Sequence, residues 1–279
     1  MSRSIRLFGS NAIYYAIYAF IVVIVLVPIF LVLFGALKTP DELAGTSPLA
    51  LPGNLFNMDN FVNAYKEARL LTGLRNTFTL TSVTIVFNAV LGTMTAYVLN
   101  RFRFKLRTPI FLMFMAAMII PSYTTEIARF QIIHTLGFYD KLMGPLLIYI
   151  GTDIMQIYIY MQFLEKISTE LDESAMLDGA SYVRTFRSII FPLLLPATAT
   201  LAILKAVTIM NDIYTPYLYL PSKNLATLST SLMTFVGERG SDWTLLCAGI
   251  VLVLLPNIIV YSVFQRYIFK GLMDGAVKG

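Results

Sequence analysis

The stretch "LDESAMLDGASYVRTFRSIIFP", Leu171 to Pro192, decides the reading of this chain. It is acidic at its start, rich in small residues in its middle and apolar at its end. It separates two long apolar runs, Gly144 to Leu164 and Pro192 to Leu218. A helix rising ~1.5 Å per residue needs about 20 apolar residues to cross the ~30 Å of hydrocarbon in a bilayer. Both runs are long enough. The stretch between them carries charges that each cost ~2.5–3.5 kcal/mol or more at mid-bilayer, so it stays outside.

Four further runs can span: Ala12 to Ala36, Asn76 to Leu99, Pro109 to Ala128, and Leu245 to Ile268. Composition agrees, with 57% hydrophobic and 13% charged residues, against about 25% charged in soluble domains. The alternating segments of about ten residues that a β-barrel needs are absent. The expected fold is all-α and integral to the membrane, with six transmembrane helices. The first run follows the basic "MSRSIR", is too long for a signal-peptide core and lacks a small-residue cleavage site, so it is expected to be retained.

Charge sets the orientation. "RFRFKLR" (Arg101 to Arg107) packs four positive charges into seven residues. Arg3, Arg6, Lys166, Arg184, Arg187, Arg266, Lys270 and Lys278 fall on the same side of a six-span chain. The positive-inside rule makes that side cytoplasmic, with both termini and Leu171 to Pro192. Leu37 to Arg75, Arg129 to Met143 and Tyr219 to Thr244 are then external. Trp243, Tyr214, Tyr217 and Tyr219 suit an outer interfacial belt.

Locally the stretch reads as two short helices around Gly179. Ser174, Ala175 and Gly179 fall within one turn and are expected to share a face that another surface can approach closely. Tyr182, Phe186 and Ile189 continue an apolar stripe. Glu170, Asp172 and Glu173 favour a helix start, where the dipole is positive, and Asp178-Gly179 can turn the chain. These features fit a docking knuckle on the membrane surface, or an ordinary amphipathic connection.

Several classes are disfavoured. The chain has one histidine, His134, and one cysteine, Cys247, and neither H-E-x-x-H nor C-x-x-C occurs, so no metal site and no catalytic residue is expected. The phosphate-binding G-x-x-x-x-G-K-[ST] is missing too, so any ATP must be held by another chain. An enzyme would need a convergent nucleophile and base, and Asp153, Lys205 and Asp212 have no histidine beside them. An ion-coupled secondary carrier usually shows an internal repeat, and the halves show none.

The stretch resembles the E-A-A-x-x-x-G-x₉-I-x-L-P loop of ABC importer permeases. Glu173, Ala175, Gly179, Ile189 and Pro192 match at that spacing, with Ser174 in place of Ala and Phe191 in place of Leu. "YVLNRFRFKLR" is similar to the end of the second span and first cytoplasmic loop of the carbohydrate-uptake branch. "MIIPSY" resembles its third span, and "MNDIYTPYLYL" its W-N-D-F-x-x-P-L stretch with Met210 in place of Trp. "QRYIFKGLMDGAVKG" is similar to the ending of maltose-transporter MalG-type permeases. "KISTEL" departs from the pattern, having Ser168-Thr169 where Pro usually precedes Glu-Leu.

The resemblance implies the type I importer transmembrane fold, with a homologous second permease completing the pathway. It also implies a cytoplasmic ATPase dimer carrying ATP and Mg, and an extracytoplasmic solute-binding protein. The cargo would be a sugar or oligosaccharide, or alternatively another polar solute such as a glycerol phosphodiester. Membrane lipid surrounds the chain and no nucleic acid is involved. Glu173, Ser174, Ala175, Asp178, Gly179 and Ala180 would contact the ATPase, and the tail Gly275 to Gly279 would reach toward it. The organisation is then 1–74 for the N-terminal tail, first span and outer loop, 75–270 for a five-helix core with its coupling loop at 165–192, and 271–279 for a cytoplasmic tail. The outer loop Pro221 to Asp242 would face the solute-binding protein; its Ser/Thr/Gly content suits an adaptable contact or a plain exposed connection.

Polar residues inside the runs complete the reading. Lys205 lies thirteen residues from either end of its run, and Asp153 nine residues from the outer end of its own, depths that differ by ~6 Å. They pair, line one aqueous cavity, or face water and the partner permease separately. Asn211, Asp212, Tyr214 and Tyr217 combine planar polar groups with aromatic faces, as a sugar pathway needs, or form a helix-packing or gating cluster. Gln156 and Asn88 read as residues that join helices.

Overall fold

The computed structural model describes residues 2–151, 153–237 and 241–276, with side chains described from Tyr14 to Gln265 except Ser122. Helices α1 (Ser2–Leu37), α2 (Pro40–Gly45) and α3 (Asp59–Glu67) precede the long α4 (Leu70–Arg101). Next come α5 (Arg107–Ile119), α6 (Glu126–Thr135), α7 (Met143–Ile150) and α8 (Ile154–Leu164). The polar stretch holds α9 (Glu170–Leu177) and α10 (Tyr182–Thr185). A single π-turn over Phe186–Ile190 then leads into α11 (Phe191–Asn211), followed by α12 (Tyr214–Tyr219) and α13 (Trp243–Ala276). Among the described residues there is no strand.

Four of the six apolar runs form helices long enough to cross a membrane unbroken: Tyr14–Leu37, Leu70–Arg101, Tyr182–Asn211 and Trp243–Gln265. The first is apolar around its whole circumference and uncovered, with Tyr15 73% and Phe20 66% exposed. A helix of that kind is at home in hydrocarbon.

The other two runs depart from the single helices expected of them. The third bends by 96° between α5 and the following helix. Pro121 stands at the break, where it removes a donor and holds Ile120 in an extended conformation. The fourth is broken after Ile150, because Asp153 caps α8 by accepting from the Gln156 amide at 2.8 Å. The fifth run ends its helix at Asn211 instead of Leu218. Asp212 takes the Thr215 amide at 3.1 Å and starts α12.

The chain divides into two compact units, one of residues 1–70 with 231–256 and one of 71–230 with 257–279. In the first, α1 ends on α3, whose Asn60 donates to the carbonyls of Ala36 and Lys38, each at 2.8 Å. These are the carbonyls a helix end leaves unpaired. Lys38 is fully buried and donates to Thr46 Oγ1 and the Ser47 carbonyl. In the same unit, a Cβ at Gly35 would meet Cys247 Sγ at 2.8 Å, so the glycine lets the two backbones lie close.

The larger unit centres on the crossing of α4, α8 and α11. Its core includes Ala96, Tyr97, Ile157, Tyr160, Leu164, Ile190, Leu194 and Ala197. Gly92 makes the α4–α8 crossing tight, since a Cβ there would sit 2.8 Å from Gln156 Nε2 and 3.1 Å from Tyr160 Cε2. Gln156 Nε2 donates to the Asn88 carbonyl at 3.2 Å, and Asn88 Nδ2 to the carbonyls of Ile150 and Gly151, each at 3.3 Å. Both residues therefore join helices, as their positions in the sequence suggested.

Candidate functional site: the segment between α8 and α11

The polar stretch is built on a helix terminus. Asp178 is the C-cap of α9 and Gly179 follows it at φ +79°. The Gly179 amide donates to the Met176 carbonyl at 3.0 Å and the Ala180 amide to the Ala175 carbonyl at 2.9 Å. Together these are the paired bonds of a Schellman motif, in which a residue without Cβ takes the left-handed position at no steric cost. A Cβ on Gly179 would meet nothing within 4 Å. Its place is explained by backbone geometry within this chain, before any partner is considered. Ser181 then caps α10 by accepting from the Arg184 amide.

The helix has two faces, and they are not the ones expected. Ser174 and Ala175 do not share a face: Ser174 is exposed, whereas Ala175 is 7% exposed and packs inward. Ala175, expected among the contact residues, instead lets α9 lie close on its own chain. Glu173, Asp178 and Gly179 stay exposed and Ala180 is half-buried. Leu177 on α9 is 89% exposed, and Val183 and Tyr182 on the following α10 are 73% and 53% exposed. Sequence reasoning missed Leu177 as a contact candidate, although an uncovered apolar side chain in a polar stretch is a signal for a docking patch.

The inward face is held by charge. Asp172, 6% exposed, pairs with Arg101 at 3.1 Å (Nε to Oδ2) and accepts from the Tyr97 hydroxyl at 2.7 Å. A second guanidinium nitrogen of Arg101 donates to the Ile167 carbonyl at 2.7 Å. Rings surround this cluster: Tyr97 lies 5.4 Å from Phe186 and 5.7 Å from Phe102, and Phe102 lies 5.0 Å from Tyr182. In the sequence Arg101 served only to orient the chain and Asp172 only to favour a helix start.

The candidate pathway residues fall in two places. Lys205 and Asp153 line one cavity of about 410 Å³ together with Asn88, Gln156 and Thr208, and form no ion pair. Asp153 is engaged as the cap of α8. Lys205 lies ~9 Å along the axis from the end of α11, not at mid-helix, because the helix stops at Asn211. Asp212 is bound up structurally, accepting from Tyr149 Oη at 2.9 Å. Asn211, Tyr214 and Tyr217 are exposed.

The outer loop is more ordered than an exposed connection. Asn76 donates to the carbonyls of Asn224 and Ala226, the Leu228 amide donates to Thr77 Oγ1 at 2.8 Å, and Asp140 receives both donors of Ser222. Thr227 to Ser231 are buried. Residues 238–240 of this loop, and 277–279 of the C-terminal tail, lie outside the described residues.

Long apolar helices, a polar insertion with an uncovered outward face and a cavity with ionisable groups between helices define a membrane transport subunit. Residues 88–273 match the family described as binding-protein-dependent transport system inner membrane component, and the chain belongs to that family. It is 34% identical over 252 residues to the probable starch degradation products transport system permease protein AmyC of Thermoanaerobacterium thermosulfurigenes, covering 90% of this chain and 91% of that one. It is 29% identical to the melibiose/raffinose/stachyose import permease protein MelC of Bacillus subtilis (strain 168), covering 91% of each. Its fold matches a chain of a bacterial ABC transporter involved in the import of the acidic polysaccharide alginate, with a TM-score of 0.79, 25% identity and coverage of 96% and 98%. The fold is thus that of ABC importer transmembrane subunits.

Proposed function

We infer that this chain is one of two permeases in an ATP-driven importer of oligosaccharides, and that the segment between α8 and α11 receives force from a cytoplasmic ATPase dimer. One observation carries the coupling reading: Leu177 is 89% exposed on α9 among exposed Glu173, Ser174 and Asp178, ahead of the long apolar helix that begins at Tyr182. The similarity to AmyC and MelC, permeases described for starch degradation products and for melibiose, raffinose and stachyose, supports an oligosaccharide cargo. An extracytoplasmic binding protein delivers that cargo, and both termini lie in the cytoplasm. Closure of the ATPase dimer on ATP and Mg draws the two coupling segments together and turns the pathway outward; hydrolysis resets it. This chain transmits motion and forms half of a pathway, with Lys205, Asp153, Asn211, Tyr214 and Tyr217 as its contribution to the lining.

The test uses Leu177→Glu in the intact complex. Leu177 makes no demand on its own chain at 89% exposure, so membrane insertion and thermal stability of the permease are expected to match wild type while the ATPase no longer co-purifies. Normal association and transport in that variant would sink the docking assignment.

A further inference from the structure

We propose that Arg101, Asp172 and Tyr97 form a buried clamp that makes α9 and the adjoining end of α4 a single rigid body, so that displacement of the coupling segment is passed to α4. The proposal rests on the coupling role inferred above and assigns positioning residues to it. Little else holds α9. It has eight residues, too few to be stable alone, and only Asp172 and Ala175 among them are buried. Ala175 contributes a methyl contact that can slide. The Asp172 carboxylate is held at both oxygens: Oδ1 accepts from Tyr97 Oη at 2.7 Å, and Oδ2 lies 3.1 Å from Arg101 Nε in a buried ion pair without hydrogen-bond alignment. Both partners come from α4, one turn apart.

Arg101 also reaches the chain ahead of α9. Its other bond, to the Ile167 carbonyl, fixes the chain just before α9. One guanidinium thus holds both the approach to the coupling helix and its first turn. The paired side chains are only 10% and 8% exposed. A pair that dry is weakly screened by salt, and removing one partner leaves the other buried without compensation. On the far side of Gly179 the connection to α11 is of another kind: a π-turn over Phe186–Ile190 with Tyr97, Phe102, Tyr182 and Phe186 in ring contact around it. The two parts of the segment are therefore fixed differently to the same end of α4, one by a buried ion pair and hydrogen bonds, the other by ring packing against Tyr97 and Phe102.

The experiment measures distances within this chain. Spin labels are placed at exposed Ser174 on α9 and exposed Leu91 on α4, in a Cys247→Ala background, and the ATPase complex is reconstituted in nanodiscs. In the wild type the distance distribution is expected to be narrow and unchanged between nucleotide-free and ATP/vanadate-trapped states. Asp172→Asn, and the milder Tyr97→Phe that removes one hydroxyl, broaden it and add a component that shifts on trapping. Asp172→Glu, which keeps the charge, stays close to wild type. A wild-type distance that changes on trapping, or Asn and Phe variants indistinguishable from wild type, would overturn the clamp. The nucleotide-free distributions of the permease without its ATPase read the clamp alone, so failure of the ATPase to associate tests the coupling role separately.

Discussion

Replacing Gly179 by alanine isolates the conformational demand of the coupling segment. At φ +79° the left-handed region costs an ordinary residue about 1–2 kcal/mol. The usual gain from replacing glycine, a more restricted unfolded chain, does not offset this cost where φ is positive. No steric term is added, because a Cβ there meets nothing within 4 Å. The whole effect therefore falls on the two bonds that close the motif, Gly179 to Met176 and Ala180 to Ala175. A change of 1–2 kcal/mol is a factor of about 5–30 in a local equilibrium. Amide hydrogen exchange, followed by mass spectrometry on peptides covering 174–182 in nanodiscs, is the assay. Exchange in Gly179→Ala is expected to be about 5–30-fold faster there, while peptides from α8 are unchanged. Gly179→Asn, which tolerates the left-handed region better, gives a smaller increase. Wild-type exchange in the alanine variant, or asparagine faster than alanine, would refute the backbone explanation of this glycine.

Two further perturbations probe the rest of the chain. Gly92→Ala drives a Cβ to 3.1 Å from the buried Tyr160 ring, an overpacking expected to cost ~1–3 kcal/mol. Its melting temperature in detergent should fall, whereas Gly45→Ala, with open space around it, should not change it. Burial and the neighbouring Glu126 carboxylate push the Tyr219 phenol above its ordinary value, and its hydroxyl donates to Glu126 at 2.7 Å. The folded state then keeps this proton longer than the unfolded chain does. The stability that Tyr219 confers is fully present below ~pH 10, where the unfolded phenol ionises, and declines above it. Melting curves of wild type and Tyr219→Phe against pH should differ by a constant amount up to that point and then converge; parallel curves throughout would contradict the assignment.

The apolar runs were legible because burial in hydrocarbon imposes length and composition: four of them emerged as unbroken helices, three close to the expected bounds and the fifth run displaced toward the N-terminus. The polar stretch was legible as two short helices around Gly179 because a glycine there turns the chain. What failed was facing. Asp172 and Glu173 are adjacent acids, and sequence alone did not say which one turns inward, since that depends on an arginine contributed by α4. The break before α8 did carry a signal that was overlooked: Asp153-Ile154-Met155-Gln156 has the spacing of a helix cap with a polar residue three positions on. Reading it would have shortened the fourth run. Asp212 and Thr215 stand in the same relation at the start of α12, and reading them would have moved Lys205 away from mid-helix.

The Ile150 and Gly151 carbonyls at that break have a consequence for biogenesis. They take their hydrogen bonds from the Asn88 carboxamide, and a bare carbonyl in lipid would cost several kcal/mol. Asn88 precedes them by some sixty positions, so during synthesis its helix has already entered the bilayer when α7 and α8 arrive. The order of the chain supplies this broken helix with its partner in advance, and a permuted gene that placed α7 and α8 ahead of α4 would ask the insertion machinery to accept the break unassisted.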